Sequence, residues 1–395
     1  MKEFKLDFKT MKVLPALMMT IFALQISLSF ATLDMFTPSY ALLAMVLLSF
    51  CFASYLILRQ RTITQFDACI IAFIMIIAAS SVLSGTDVKN WIFNAAAALL
   101  ILFLFNYYED KLPPLIVGAL VGFSLSVYLG LFDILCHPEK WIVQDSKEVV
   151  GYLLGGNYNQ IGCRLLCALV TNLFCVRVSK WFILNMVPLV ISCVVILLIV
   201  QSMTALSSIL LFLLICLLPS LRLQRLAIYS LIAAVVVFEV VVCFNGKGFE
   251  NNELATWFIV DVLNKDITFT YRTDMWDSAV RIIIESPIWG YGFPDADWYM
   301  GHMSSFAIGP HNVILAFLIY GGIIAFGLYI TMIVMVFMRV VSYHDRTSNM
   351  LLASIAVISL MMLFEVYPIM FIFYLFILAF YYGKLNESLM KKGGN

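Results

Sequence analysis

The chain has 395 residues, 63% hydrophobic and only 12% charged, with 24 basic and 24 acidic side chains in balance. Its mean hydropathy of +0.99 excludes a soluble globular domain and describes an integral membrane protein. The zero formal net charge gives nucleic acid nothing to bind, so the cations matter by where they stand.

The basic start, MKEFKLDFKTMK, leads into an apolar stretch with no small-residue cleavage site after it. This predicts a retained first span instead of a signal peptide, with no soluble domain attached. Apolar runs near the roughly 20 residues a helix needs to cross a bilayer then recur as far as residue 382. They predict one all-α, polytopic membrane domain over 1–395 with about twelve transmembrane helices. The expected cores are 13–31, 39–58, 66–84, 91–106, 114–135, 160–177, 181–200, 204–220, 226–244, 311–338, 350–366 and 368–382. The nine cysteines lie scattered, mostly inside these runs, with no C-x-x-C pair, and read as small buried hydrophobes.

With a cytoplasmic N-terminus, Lys2, Lys5, Lys9, Lys12, Arg59, Arg61, Lys111, Arg177, Lys180, Arg222, Arg225, Arg339, Arg346, Lys391 and Lys392 all fall on the inner side. Both termini are then cytoplasmic. Short outer breaks carry Asp34, Asp87 with Lys89, and Glu365, while two outer segments, 133–160 and 245–310, are too long to be turns. The second is the main outer loop, expected to hold short helices and the chemistry.

Within it, YRTDMWDSAVRIIIESPIWGYGF reads as a helix ended by a sharp turn. Thr273 or Asp274 suits the N-terminus, and Pro287 stops the helix just after Glu285. Asp274, Asp277, Arg281 and Glu285 share one face, and Met275, Trp276, Ala279, Val280 and Ile283 the other. That pattern predicts a helix on the membrane surface, apolar side among lipid headgroups and polar side toward a water-filled cavity. An Asp277–Arg281 pair on such a helix accounts for the charges equally well without catalysis. Gly290 and Gly292 flank Tyr291 and let the chain come close to a ligand or a neighbouring helix. His311 and Asn312 follow Pro310 at the mouth of the tenth span, where a lone histidine is more often structural than a base.

Arg272, Trp276, Pro287, Gly290, Gly292, the His311-Asn312 pair and Gly322 together resemble the signature of the bacterial O-antigen polymerase and ligase superfamily. The intervals agree: residues 313–321 separate Asn312 from Gly322, and Arg281 and Gly292 fit an R-x10-G spacing associated with the polymerases. Two positions depart from the pattern. QSMTAL has Met203 where many relatives, ligases especially, carry an arginine, and Ala325 closes the G-x-x-G of the tenth span. The first departure favours polymerase over ligase.

On the other outer segment, GGNYNQIG, with Asn157 and Asn159, resembles the glycine and asparagine run found in the family before the sixth span. Arg164 falls about one turn inside that span, where an ionisable residue is a functional suspect and snorkelling is the alternative. Glu239, in the ninth span, either pairs with Arg164 or holds helices together.

The resemblance implies an enzyme of the bacterial inner membrane. It would transfer a glycan from an undecaprenyl-diphosphate donor to a lipid-linked acceptor on the outer face, with a chain-length regulator and a flippase as further partners. Arginine forks suit the departing diphosphate, so Arg272, Arg281 and Arg164 are expected there, and His311, whose free imidazole titrates at about 6.5, is the expected base or acceptor-positioning group. Attack opposite the diphosphate inverts the anomeric centre. Asn157, Asn159, Trp276, Asp277, Tyr291 and Asn312 are expected to contact substrate, and Pro287, Gly290, Gly292 and Gly322 to build the turn. No cofactor or metal is expected, DAD at 295–297 being a weak metal candidate. A ligase feeding lipid A core or another acceptor is the nearest alternative. A flippase, of a different class, would concentrate polar residues and broken helices at mid-membrane, and the sequence signals neither.

Overall fold

A computed structural model describes residues 13–27, 63–86, 88–137, 160–245, 272–304 and 307–393, and among these there is no strand. The chain runs through α1 (Val13–Ser27), α2 (Gln65–Ser84), α3 (Val88–Tyr107), α4 (Leu112–Cys136), α5 (Ile161–Val178), α6 (Ile183–Ile199), α7 (Met203–Leu217) and α8 (Leu221–Phe238). A π turn, Glu239–Cys243, continues α8. Then come α9 (Arg272–Glu285), α10 (Ala296–His302), α11 (Val313–Val341), α12 (Arg346–Met362), α13 (Ile369–Phe380) and α14 (Tyr382–Gly393). Among the described residues six stretches are long and apolar enough to cross a membrane: Gln65–Ser84, Leu112–Cys136, Ile161–Val178, Lys180–Ile199, Leu221–Cys243 and Val313–Val341. Asn94–Tyr107, Met203–Leu217, Arg346–Met362 and Ile369–Phe380 are shorter apolar helices. A helix overlaps every expected core except 39–58, which lies outside the described residues, as do Asn157 and Asn159.

The centre of the bundle is α13. Its sequence, IMFIFYLFILAF, has no polar face, and all but one of its residues are buried against α3, α5, α11 and α12, as expected of a helix apolar all round. Peripheral helices instead leave apolar stripes bare: Ile183, Leu184, Val187 and Ile191 on α6, and Val236, Val237 and Val240 on α8 and its π turn. Such stripes suit lipid. Inside, Asn185 links three helices, donating to Ser124 of α4 and Asn172 of α5 at 3.0 Å each while Tyr128 donates to it at 2.8 Å, interhelical bonds that lipid cannot replace.

The tenth expected span is broken. Within α11, Gly321 (φ −143°, ψ 19°) and Gly322 (φ 61°, ψ −159°) leave the helical region, and Gly322 sits where only glycine is comfortable. The turn after α9 fills the break with its own main chain. Tyr291 N donates to Ile319 O at 2.6 Å, Gly292 N to Tyr320 O at 2.9 Å, and Ile323 N returns to Pro287 O at 2.8 Å. Helix α2 clamps the turn from the far side through Ser80 Oγ to Trp289 O (2.7 Å), Thr86 Oγ1 to Tyr291 O (2.8 Å) and Phe293 N to Ser81 Oγ (2.8 Å). The backbone groups freed by the break are thus answered by another backbone, which satisfies the strictest demand of a membrane interior. A sequence scan misses this break because an apolar run continues straight through it.

Helix α9 has the expected extent, with Pro287 just beyond its end, but the expectation of a lipid-facing apolar side is corrected. Trp276, Met275, Ala279 and Ile282 are buried, α9 packs on α11 and the π turn, and the Trp276 ring meets Phe238 at 6.2 Å and Phe364 at 6.5 Å. Residues 286–293 are held between α11 and α2, the close approach to a neighbouring helix that Gly290 and Gly292 allow.

Candidate functional site

Residues 364–368, between α12 and α13, are not helical, so their carbonyls and amides need partners from elsewhere. Two other elements supply donors to their carbonyls, and a third meets the Glu365 side chain. From the start of α9, Arg272 Nε donates to Phe364 O at 3.2 Å. From the entry of α5, Gln160 Nε2 donates to Val366 O at 2.9 Å. From the loop before α11, His311 Nδ1 lies 3.3 Å from the Glu365 carboxylate, which also accepts from Val366 N at 3.1 Å. One turn into α5, Arg164 is 7% exposed and its guanidinium lies 5.5 Å from the Phe371 ring centroid.

The group is electrostatically connected. Tyr367 is buried, which pushes its phenol well above its ordinary range; the Glu365 carboxylate adds to this and the Arg272 charge partly offsets it. His311 itself has φ 46°, a left-handed backbone that costs a non-glycine residue about 1–2 kcal/mol. The strain points its ring toward Glu365. A carboxylate at Nδ1 fixes the proton there and leaves Nε2 as the acceptor nitrogen.

Asn312, next in the chain, is fully buried. Its Oδ1 caps α11 through Leu315 N (2.9 Å), and its Nδ2 donates to Glu239 Oε2 (3.0 Å) and Leu363 O (3.4 Å). These bonds and its burial set the side chain of Asn312 against protein. Glu239, the first residue of the π turn, is bonded to Asn312, not to Arg164. Trp276, wholly buried, has no face open to a sugar. Asp277 takes Arg281 Nη2 at 3.2 Å, and that arginine also donates to Ser278 (3.1 Å). Arg281 is 69% exposed and stands about 13 Å along α9 from Arg272, so the structure does not bring it to the group around 364–368. Tyr291 donates toward Glu285 at 3.4 Å and packs 5.3 Å from Trp298. Burial and the nearby Glu285 charge push its phenol up, which keeps it a donor. Asp295, the first acid of DAD, caps α10 through Trp298 N at 2.8 Å.

The O-antigen ligase family model matches residues 187–330. That match, over part of the chain, supports the resemblance to the O-antigen polymerase and ligase superfamily. The matched O-antigen ligase segment runs from α6 into α11 and contains Glu239, Arg272, the 286–293 turn, His311 and the helix break, whereas Arg164 and Glu365 lie outside it. No curated protein and no solved structure matches the chain. The apolar helices and this match together support a multi-pass membrane protein related to O-antigen ligases. Glu365 is the residue that sequence reading passed over: FEVYP carries no motif, and its only signal was an acid placed in a short outer break.

Proposed function

We propose that the protein is a polysaccharide polymerase, acting on O-antigen, capsule or exopolysaccharide. It moves the growing undecaprenyl-diphosphate-linked glycan onto the next lipid-linked repeat unit at the outer face of the bacterial inner membrane. The observation that carries this reading is the convergence of Arg272, Arg164, His311 and Glu365 on residues 364–371. Cations and an oriented imidazole side by side are what a diphosphate leaving group and an attacking hydroxyl require.

In the proposed step the acceptor hydroxyl attacks the anomeric carbon as the bond to the diphosphate oxygen breaks on the opposite face, giving inversion. The hydroxyl proton passes to His311 Nε2, and the Glu365 carboxylate steadies the imidazolium through Nδ1–H. The bonding electrons leave with the diphosphate, whose growing charge Arg272 and Arg164 hold in a site of low polarity. Asn157 and Asn159, just before α5, and Tyr291 are assigned to sugar contacts. Arg281, paired with Asp277, is assigned to the exposed flank and not to the diphosphate.

A ligase is the second reading, favoured by the description of the matched model. Against it, Met203 opens α7 with an exposed thioether where a ligase-type arginine would add a cation. A flippase is disfavoured because the break in α11 is filled by the 286–293 turn and not by an open mid-membrane site. Purified protein given synthetic lipid-linked repeat units decides among these. A polymerase makes a ladder of products, a ligase makes one transfer to a supplied acceptor such as lipid A core, and a flippase makes no glycosidic bond.

A further inference from the structure

At the end of the bundle opposite His311, the N-terminus of α2 and the C-terminal ends of α11 and α13 enclose a cavity of about 390 Å³ with α14. Thr64, Gln65 and Phe66 form one wall, and Arg339, Phe380 and Lys384 another. Among the described residues no acidic side chain lines it. Of the acids close by in the fold, Glu109 pairs with Lys384, and Asp67 turns one oxygen into the capping box of α2, accepting from Thr64 N at 3.0 Å, while its other oxygen is buried without a hydrogen-bond partner among the described residues.

Arg339 has no such partner. Its guanidinium lies 4.5 Å from the Phe380 ring centroid, and its buried Nε has no hydrogen-bond partner among the described residues. Three other arginines placed on this side have partners: Arg177 bonds Tyr382 and Asn386, Arg225 bonds Asn349 and two carbonyls, and Arg346 bonds Pro219 O. A guanidinium 4.5 Å from an aromatic ring centroid, lining a cavity together with the first residues of a helix, suits a phosphate. Beside it α11 exposes Val334 and Met338, an apolar surface on which acyl chains can lie. A freely diffusing anion would have no use for that surface.

We propose that this cavity binds the headgroup phosphate of an anionic phospholipid, with Arg339 as the principal ligand. By the distribution of cations it sits in the cytoplasmic leaflet. The site is independent of the glycosyl-transfer reading.

The test uses the full-length protein in neutral detergent with phosphatidylglycerol, phosphatidylcholine or inorganic phosphate added, followed by thermal unfolding and native mass spectrometry. Phosphatidylglycerol is expected to raise the midpoint and to stay bound, and Arg339→Gln to weaken that binding about tenfold or more. Equal stabilisation by phosphatidylcholine, equal stabilisation by inorganic phosphate alone, or undiminished binding to the variant overturns the proposal. If Arg339→Gln does not fold, the wild-type protein is labelled with a headgroup-photoactivatable phosphatidylglycerol. Adducts concentrated in peptides containing 64–66, 335–339 and 380–384 support the site, and adducts confined to other surfaces overturn it.

Discussion

His311 and Glu365 come from loops 54 residues apart in sequence, yet the imidazole Nδ1 rests 3.3 Å from the carboxylate. The backbone of His311 is held in a left-handed conformation to achieve this. A strained residue whose ring is oriented by an acid fits a positioned proton acceptor better than a surface histidine.

His311→Ala is therefore expected to lower polymer formation by about 10²–10⁴-fold, the usual worth of a positioned acid–base group. Glu365→Gln keeps an acceptor for Nδ1–H but removes the charge, and is expected to cost on the order of ten- to a hundredfold. Turnover of lipid-linked repeats, read beside the unfolding midpoint of each variant, checks this. A Glu365→Gln enzyme as fast as wild type would remove the carboxylate from the mechanism.

The two arginines of α9 are expected to separate. Arg272 reaches Phe364 O, whereas Arg281 is mostly exposed and bound to Asp277. Arg272→Lys, which keeps the charge but loses the planar fork, should retain only a minor part of the activity, and Arg272→Ala less still. Arg281→Ala removes an exposed pair worth less than about 1 kcal/mol and should leave both turnover and stability near wild type. Abolished turnover in folded Arg281→Ala would return that residue to the catalytic group.

Glycine at the broken helix is expected to be irreplaceable. A Cβ on Gly322 would stand 2.1 Å from Ile288 O, and one on Gly290 2.3 Å from Ile319 O, both at positive φ. Combining backbone strain with overpacking, Gly322→Ala and Gly290→Ala should each destabilise by about 2–4 kcal/mol. Trp289, whose side chain is 48% exposed, should tolerate alanine with a loss under about 1 kcal/mol. Thermal unfolding in detergent compares the three.

Asn312 should behave as a structural residue. Alanine there removes the cap of α11 and leaves the Glu239 carboxylate buried without its amide donor, a combined loss of about 2–4 kcal/mol. Glu239→Gln retains a carbonyl oxygen for Asn312 and is expected to cost much less. Turnover per folded molecule should stay within a few-fold for both, measured after quantifying the folded fraction by size exclusion.

Most of the helices could be read from apolar run length, because crossing a bilayer sets a minimum length that few other structures need. The ends of α9 could be read too, since Pro287 announces its own stop. Harder to see were contacts whose partners carry no residue signature. The Tyr291 and Gly292 amides bind carbonyls of Ile319 and Tyr320, and a carbonyl looks alike in every residue. For the same reason the apolar side of α9 was assigned to lipid: Trp276 and Ile282 suit either lipid or a protein wall, and only packing tells which. Arg281 shares a helical face with Asp274 and Asp277 on paper, but periodicity says nothing of how far along an axis a site extends. Glu365 was passed over because a single acid makes no pattern until His311 is brought beside it.

The joint between the 286–293 turn and α11 is written in main chain, with the side chains of Ile288 and Trp289 turned outward. Such a fastening is blind to most of its own letters. Those outward residues are left free to answer to whatever surrounds the protein, a lipid or a passing glycan, while the seam beneath them stays closed.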